Sequence, residues 1–211
     1  MKHLIFLLIS LSLFACSKHR EIKIIGRNAV TGQGYEGLQY EVVSSRTGND
    51  GEVYRSEALG NLNANGEAFV SIKQKNSRTY SIRLFGPSNS CYSNNVIQYF
   101  DSPYDVNGTF TFEFAECAYL KLNINNVNCS GASDYFKLYH YGSTIDYHDY
   151  SNGNPIKEGG GCYSYLGSYF SDVPIGSRYY KWEVTRNNIT NTYYDTIYLS
   201  PGEYKTYDIN Y

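Results

Sequence analysis

A chain of 211 residues with 18 basic and 20 acidic side chains, formal net charge −2, has room for one large or two small domains and offers a polyanion no basic surface. Nucleic acid is therefore excluded as an expected partner. The 24 tyrosines and 10 phenylalanines favour strands over helices, because aromatic rings pack well on a pleated, half-buried surface.

The chain opens with Lys2 and the apolar run "LIFLLISLSLFA", 12 residues ending in the small residue Ala15. At about 1.5 Å per helical residue the run reaches roughly 18 Å, short of the ~30 Å hydrocarbon core, so it reads as a secretory signal (1–15) and not as a membrane span. Removing it takes Lys2 away and leaves 17 basic against 20 acidic groups, net −3. The run stops at Cys16, and "LFAC" resembles the lipobox of bacterial lipoproteins, with Leu13 and Ala15 at the matching places and Phe14 bulkier than that pattern usually carries. The resemblance implies lipidation of Cys16, a short tether over 16–20, a membrane partner reached through the N-terminal lipid, and a place in the bacterial cell envelope. Acyl chains on one residue contribute about 0.8 kcal/mol per buried CH₂. Ser17 and Lys18, with no aspartate after the cysteine, favour the outer membrane by the enterobacterial sorting pattern, with the periplasmic or surface face left open. The plainer reading is a cleaved signal with Cys16 incidental.

After residue 16 apolar positions recur with period two, between Gly, Asn and Asp turns, and helical periodicity is nearly missing. Strands are expected at 21–26, 38–45, 52–59, 67–73, 79–85, 95–100 and 108–115. The last, "GTFTFEFA", sets Phe110, Phe112 and Phe114 on one face against Thr109, Thr111 and Glu113 on the other. A second set follows at 117–125, 133–141, 162–170, 177–185, 192–200 and 204–211, with Trp182 on the same side as Tyr180 and Val184 and read as a core anchor. "NANGE" (63–67) offers Asn65 and Gly66 for a tight hairpin, and "SPGE" (200–203) reads as a type II turn. The expected fold class is all-β, as two tandem antiparallel β-sandwich domains, 21–116 and 117–211, after a cleaved lipoprotein signal.

The stretch "IKIIGRNAVTGQGYEGLQYEVVSS" followed by "GNLNANGEAFVSI" is similar to the transthyretin-like or carboxypeptidase-regulatory-like β-sandwich family, with Leu62, Asn65, Gly66 and Phe69 matching its second hairpin. Tyr35 and Glu36 stand where that family expects proline. The resemblance implies a module that accompanies other domains and performs no chemistry.

Five cysteines are present, and if Cys16 is acylated the even remainder in an exported chain suggests two disulfides. Of three possible pairings, Cys91 with Cys117 and Cys129 with Cys162 is favoured, because each would staple one domain. No C-x-x-C pair occurs, which argues against a zinc cluster. No H-E-x-x-H, G-x-S-x-G, S-x-x-K or glycine-rich phosphate loop is found. Imidazole and carboxylate gather only at 140–149, where His140, Asp146, His148 and Asp149 would suit a metal-dependent enzyme or hydrolase; strand-end and loop residues are the favoured reading. The expectation is thus a protein that is not an enzyme, with no cofactor or metal.

Eight tyrosines fall between 134 and 170, around a Gly- and Asn-rich connection at 146–161 of the kind that carries function on a rigid scaffold. Tyrosine gives contact area at small entropic cost together with a polar handle. Tyr141, Tyr147, Tyr150, Tyr163 and Tyr165 are the candidates for binding a glycan or an envelope protein partner.

Overall fold

The computed structural model of the protein describes residues 18–48, 51–75, 77–94, 96–100, 108–145 and 154–211. Every regular element among them is a strand. Spatial contacts divide the chain into two units. Unit 1 takes the described residues of Met1–Asn28, Gly32–Pro87 and Ser93–Glu113, and unit 2 those of Ala29–Thr31, Ser88–Tyr92 and Phe114–Tyr211.

Unit 1 is built from β1 (Lys18–Asn28), β2 (Gln39–Gly48), β3 (Gly51–Asn61), β4 (Glu67–Gln74) and β5 (Thr79–Leu84), followed, after β6 (Ser90–Asn94), by β7 (Ile97–Phe100) and the start of β8 (Thr109–Asn125). One sheet has the antiparallel order β3-β2-β5-β7. In the other, β1 pairs antiparallel with β4 and on its far side with β8. Alternation explains which face turns inward: in β4, Ala68, Val70 and Ile72 are buried while Phe69, Ser71 and Lys73 are exposed. The two buried faces meet. Phe100 of β7 lies 5.3 Å, ring to ring, from Phe110 of β8, and a methyl group on Gly26 of β1 would strike Leu84 of β5.

The turn between β3 and β4 is a correction to the tight hairpin expected there. The two strands lie in different sheets, so residues 63–66 arch from one layer to the other. Gly66 alone has positive φ, 73°, and Asn65 does not. Asn63 shapes the arch, its side-chain oxygen accepting from the Asn65 and Glu67 amides at 2.9 and 3.0 Å. Gly66 must be glycine on a second count, since a Cβ there would stand 2.5 Å from the Gly26 carbonyl oxygen. The residues that carry the family resemblance therefore meet in space as one backbone contact, Gly26 donating its amide to the Gly66 carbonyl at 2.9 Å.

Unit 2 holds the rest of β8 with β9 (Tyr135–Ser143), β10 (Lys157–Gly160), β11 (Tyr165–Leu166), β12 (Ser171–Pro174), β13 (Gly176–Arg186), β14 (Ile189–Leu199) and β15 (Tyr204–Asn210). One sheet has the antiparallel order β10-β9-β13-β14. In the other, β8 carries β12 and β11 along one edge and β15 along the opposite edge, and pairs with β6. The core between them gathers Leu120 and Ile124 of β8, Phe136 and Leu138 of β9, Tyr180 and Val184 of β13, and Leu199 and Ile209. Phe136 stacks on Tyr211 at 4.5 Å and Tyr180 on Tyr207 at 5.5 Å across it. Trp182 packs at the margin of this core and stacks on Tyr193 at 5.8 Å. The hairpin from β13 to β14 turns on Asn187 and Asn188, at φ 49° and 63°, the two-residue turn that suits the strands' twist.

Further corrections concern strand direction and number. β15 runs parallel to β8, Tyr204 beside Tyr119 through Asn210 beside Asn125, so the sheets are not purely antiparallel. The chain enters β15 from β14 in the other sheet, and a strand arriving from another layer is free of the hairpin rule that forces antiparallel pairing. The two strands expected at 108–115 and 117–125 form a single one, because Phe112, Phe114, Ala118, Leu120 and Ile124 keep one phase and all are buried. Within the strand expected at 162–170 only Tyr165–Leu166 pairs, and the connection expected at 146–161 contains β10. In both places glycines interrupt the alternation on which a longer strand would depend.

Cys91 is bonded to Cys117 and Cys129 to Cys162, closing spans of 26 and 33 residues. All four cysteines belong to unit 2. In the chain-entropy account each closure stabilises by about 3.5 kcal/mol. Close to the second bridge Asp134 is buried; its carboxylate accepts from the Ser130 amide at 2.9 Å and faces Arg186 at 3.5 Å. Two outcomes follow from these contacts. Reduction should lower the melting temperature of the protein by calorimetry, with the loss concentrated in unit 2. Asp134→Ala, which strands the Arg186 guanidinium, should cost about 3 kcal/mol in denaturant titrations.

Candidate functional site

The β10-β9-β13-β14 sheet turns one face to its core and the other to solvent, and the register decides what the solvent face carries. Phe136 and Leu138 point inward, so Tyr135, Lys137 and Tyr139 lie on the outer face, where Tyr139 is covered and only 8% exposed; Tyr180 and Val184 point inward, so Lys181 and Glu183 point out. On β14 the inward Ile197 and Leu199 leave Tyr194 and Tyr198 outside, 68% and 53% exposed. Lys181 stands opposite Tyr139 on one side and Tyr194 on the other. The result is a row, Tyr139-Lys181-Tyr194, across three strands.

Polar contacts fix this row. The Lys181 ammonium sits 4.4 Å above the Tyr139 ring and 2.9 Å from the Glu183 carboxylate, to which the Tyr139 hydroxyl donates at 3.2 Å. Tyr135 donates to Glu158 at 2.8 Å, and Lys137 lies over its ring. The salt bridge from Lys181 holds the Glu183 carboxyl below its ordinary value, and the same bond raises Lys181. Burial, then the Glu183 charge, raises Tyr139. Lys181 and Glu183 therefore stay charged near neutrality, and the face carries the ammoniums of Lys137 and Lys181 and the carboxylates of Glu158 and Glu183 among its rings.

The sequence candidates are distributed as follows. Tyr141 falls where the β9-β13 register shifts by a residue, and its ring meets that of Tyr194 edge-on at 6.3 Å, which places it beside the row. Tyr163 turns inward instead, stacking on Phe136 at 6.2 Å and lying over Gly159, while its carbonyl accepts from the Tyr211 hydroxyl at 2.7 Å. Tyr165 lies in a cleft on the other side of the sheet, where Lys157 stands 4.0 Å over its ring. His140 lines the same cleft. Cys16, Asp146, Tyr147, His148, Asp149 and Tyr150 lie outside the described residues. Among the described residues no three His, Cys, Asp or Glu side chains gather as a metal ion would require.

Sequence reasoning missed Lys181, Glu183 and Tyr194. The signal was available: alternation from Trp182 puts Lys181 and Glu183 outside, and the "RNNI" turn aligns Tyr194 with Lys181. It also missed a shallow hollow of about 550 Å³ on the solvent face of β3-β2-β5-β7 in unit 1, lined by Glu41, Glu52, Tyr54, Arg83 and Tyr99.

No protein-family model and no curated protein matches the chain. Among solved structures, the Bacillus anthracis TIE protein is similar at TM-score 0.32 and 11% identity, over 92% of this chain and 33% of that one, so the chain spans about a third of its length. The minor pilin GBS52 of Streptococcus agalactiae gives 0.32 and 10% over 90% and 94%. A shaft pilin SpaA of Lactobacillus rhamnosus GG gives 0.34 and 10% over 92% and 97%. Scores of this size leave the all-β class resting on the strands themselves.

One pH dependence is expected from unit 2. Burial first, and then the Asp195 carboxylate that accepts its hydroxyl at 2.6 Å, push the Tyr207 phenol far above its ordinary value of about 10. Folding thus favours the neutral phenol. The contribution is complete below about pH 10 and is lost as pH rises above it. Thermal melts should show the melting temperature falling above pH 10, and Tyr207→Phe should flatten that fall while lowering stability at neutral pH.

Proposed function

We propose that the protein is a non-catalytic recognition module of a bacterial envelope, tethered by lipid on Cys16, that holds a glycan or a partner protein against the tyrosine face of unit 2. The observation that carries this reading is the Tyr139-Lys181-Tyr194 row with Glu183. It is a rigid set of rings and charges on strands, with its donors and acceptors already oriented, so little ordering entropy is lost on contact. The resemblance of the first third to accessory β-sandwich modules and the lipobox-like leader support the envelope setting, and the outer membrane is the favoured membrane.

Two measurements test the parts separately. The intact mass of the membrane-extracted protein should show acyl chains on Cys16; a free thiol there removes the tether. Binding of the purified protein to envelope fragments and to an arrayed glycan set should fall roughly tenfold in Tyr194→Ala and Tyr198→Ala, which are exposed and leave the core intact. Uniform non-binding by the native protein overturns the recognition role. Polysaccharide cleavage that disappears in His148→Ala would replace it with hydrolysis.

A further inference from the structure

We propose that the cleft on the inner side of the β9-β13 sheet binds a carboxylate-bearing sugar residue of the hexuronate class. It deepens the recognition reading by naming a ligand for a second site in unit 2, and rests on that reading only in taking unit 2 as the recognising part. The cleft encloses about 280 Å³, close to the lower bound of small-ligand pockets at ~300 Å³ and suited to one ring-sized group.

Its lining is one-sided in charge. Arg178 and Lys157 open into it beside His140, and none of its described lining residues is an acid, in a protein whose net charge is −2. The contacts of Arg178 and Lys157 are not with carboxylates. The Arg178 side chain donates to the Tyr180 hydroxyl at 3.4 Å, and Lys157 stands over the Tyr165 ring; neither forms an ion pair among the described residues. Two cations that face one cleft, with no carboxylate among its described lining residues, favour an anion there.

The remaining lining chooses among anions. Leu120, Leu122 and Val173 make an apolar floor, while the rings of Tyr165 and Tyr169 and the hydroxyls of Tyr180 and Ser171 stand around it. A bare phosphate would leave the floor and rings unused. A flat aromatic acid would leave the Ser171 hydroxyl unused. A six-membered polyhydroxyl ring with one carboxylate uses all three sets: its apolar edge on the floor, its hydroxyls on Tyr180 and Ser171, and its planar carboxylate on the fork of the Arg178 guanidinium. Tyr169 is 70% exposed and extends the wall outward, where a longer chain would continue.

The test uses the purified full chain and soluble ligands, titrated by calorimetry and by NMR. Glucuronate and galacturonate, as monomers and short oligomers, should bind with affinity falling as salt rises; glucose, benzoate and inorganic phosphate should bind at least tenfold more weakly. Arg178→Gln and Lys157→Gln should each lower affinity about tenfold, with the melting temperature as a check on folding. Lys157→Gln serves where Arg178→Gln loosens the fold. Equal binding of phosphate, of glucose or of benzoate, or no binding of any uronate, overturns the assignment. Tyr194→Ala separates the two readings: it should leave uronate affinity unchanged while weakening attachment to envelope fragments.

Discussion

The phase of β8 governs much of the rest. Phe112, Phe114, Ala118, Leu120 and Ile124 are buried in one phase along it, and burying them is what each unit does with its own stretch of the strand. Apolar burial stabilises by roughly 25 cal/mol per Å², so a strand with a continuous inward face recruits whatever sheet can cover it. In unit 2 both edges of β8 are taken, by β12 and β11 on one side and β15 on the other. The core of unit 2 is then closed by the sheet that carries β9 and β13.

Once β9 and β13 must bury Phe136, Leu138, Tyr180 and Val184, period two puts Tyr139, Lys181 and Glu183 on the other face, where the Lys181 ammonium lies over the Tyr139 ring. The two-residue turn at Asn187 and Asn188 then fixes which residue of β14 stands beside Lys181. The recognition surface proposed for unit 2 is thus a by-product of core packing plus one tight turn, and its side chains are held by contacts made within the sheet. The cleft behind the sheet has a different origin. It lies where short β11, the glycine at 167 and the bulge near Tyr180 leave the two layers less filled than along β8 and β13.

Much of this was legible in the sequence wherever alternation was clean. Strands such as 67–73, 79–85 and 177–185 are found within a residue or two of their expected bounds, because apolar residues recur at every second position on their inward faces. The pairing of the four cysteines was the favoured one, although the reason differed: each bridge was expected to close its own domain, and both lie in unit 2. Chain order alone cannot show that residues 88–92 leave unit 1 to pair with β8. Tertiary pairing also explains the parallel β15, for which local sequence holds no signal. At the proposed site, a tyrosine count points to unit 2 but does not distinguish among its rings. Tyr163 is as good a tyrosine as Tyr194, and only the register tells that one is turned into the core and the other out.

The two cystines have a consequence for how the chain withstands cutting. Cys91 to Cys117 and Cys129 to Cys162 each close a covalent ring, and the segments 101–107 and 146–153 are both enclosed. A protease that severs the backbone in either segment opens a ring without releasing a piece, since the sulfur bridge still ties the new ends together. Such a nicked molecule would migrate as one species on a gel until thiol is added, and the sheets that flank the break would remain clamped in register. Damage inside these rings is borne without loss of mass.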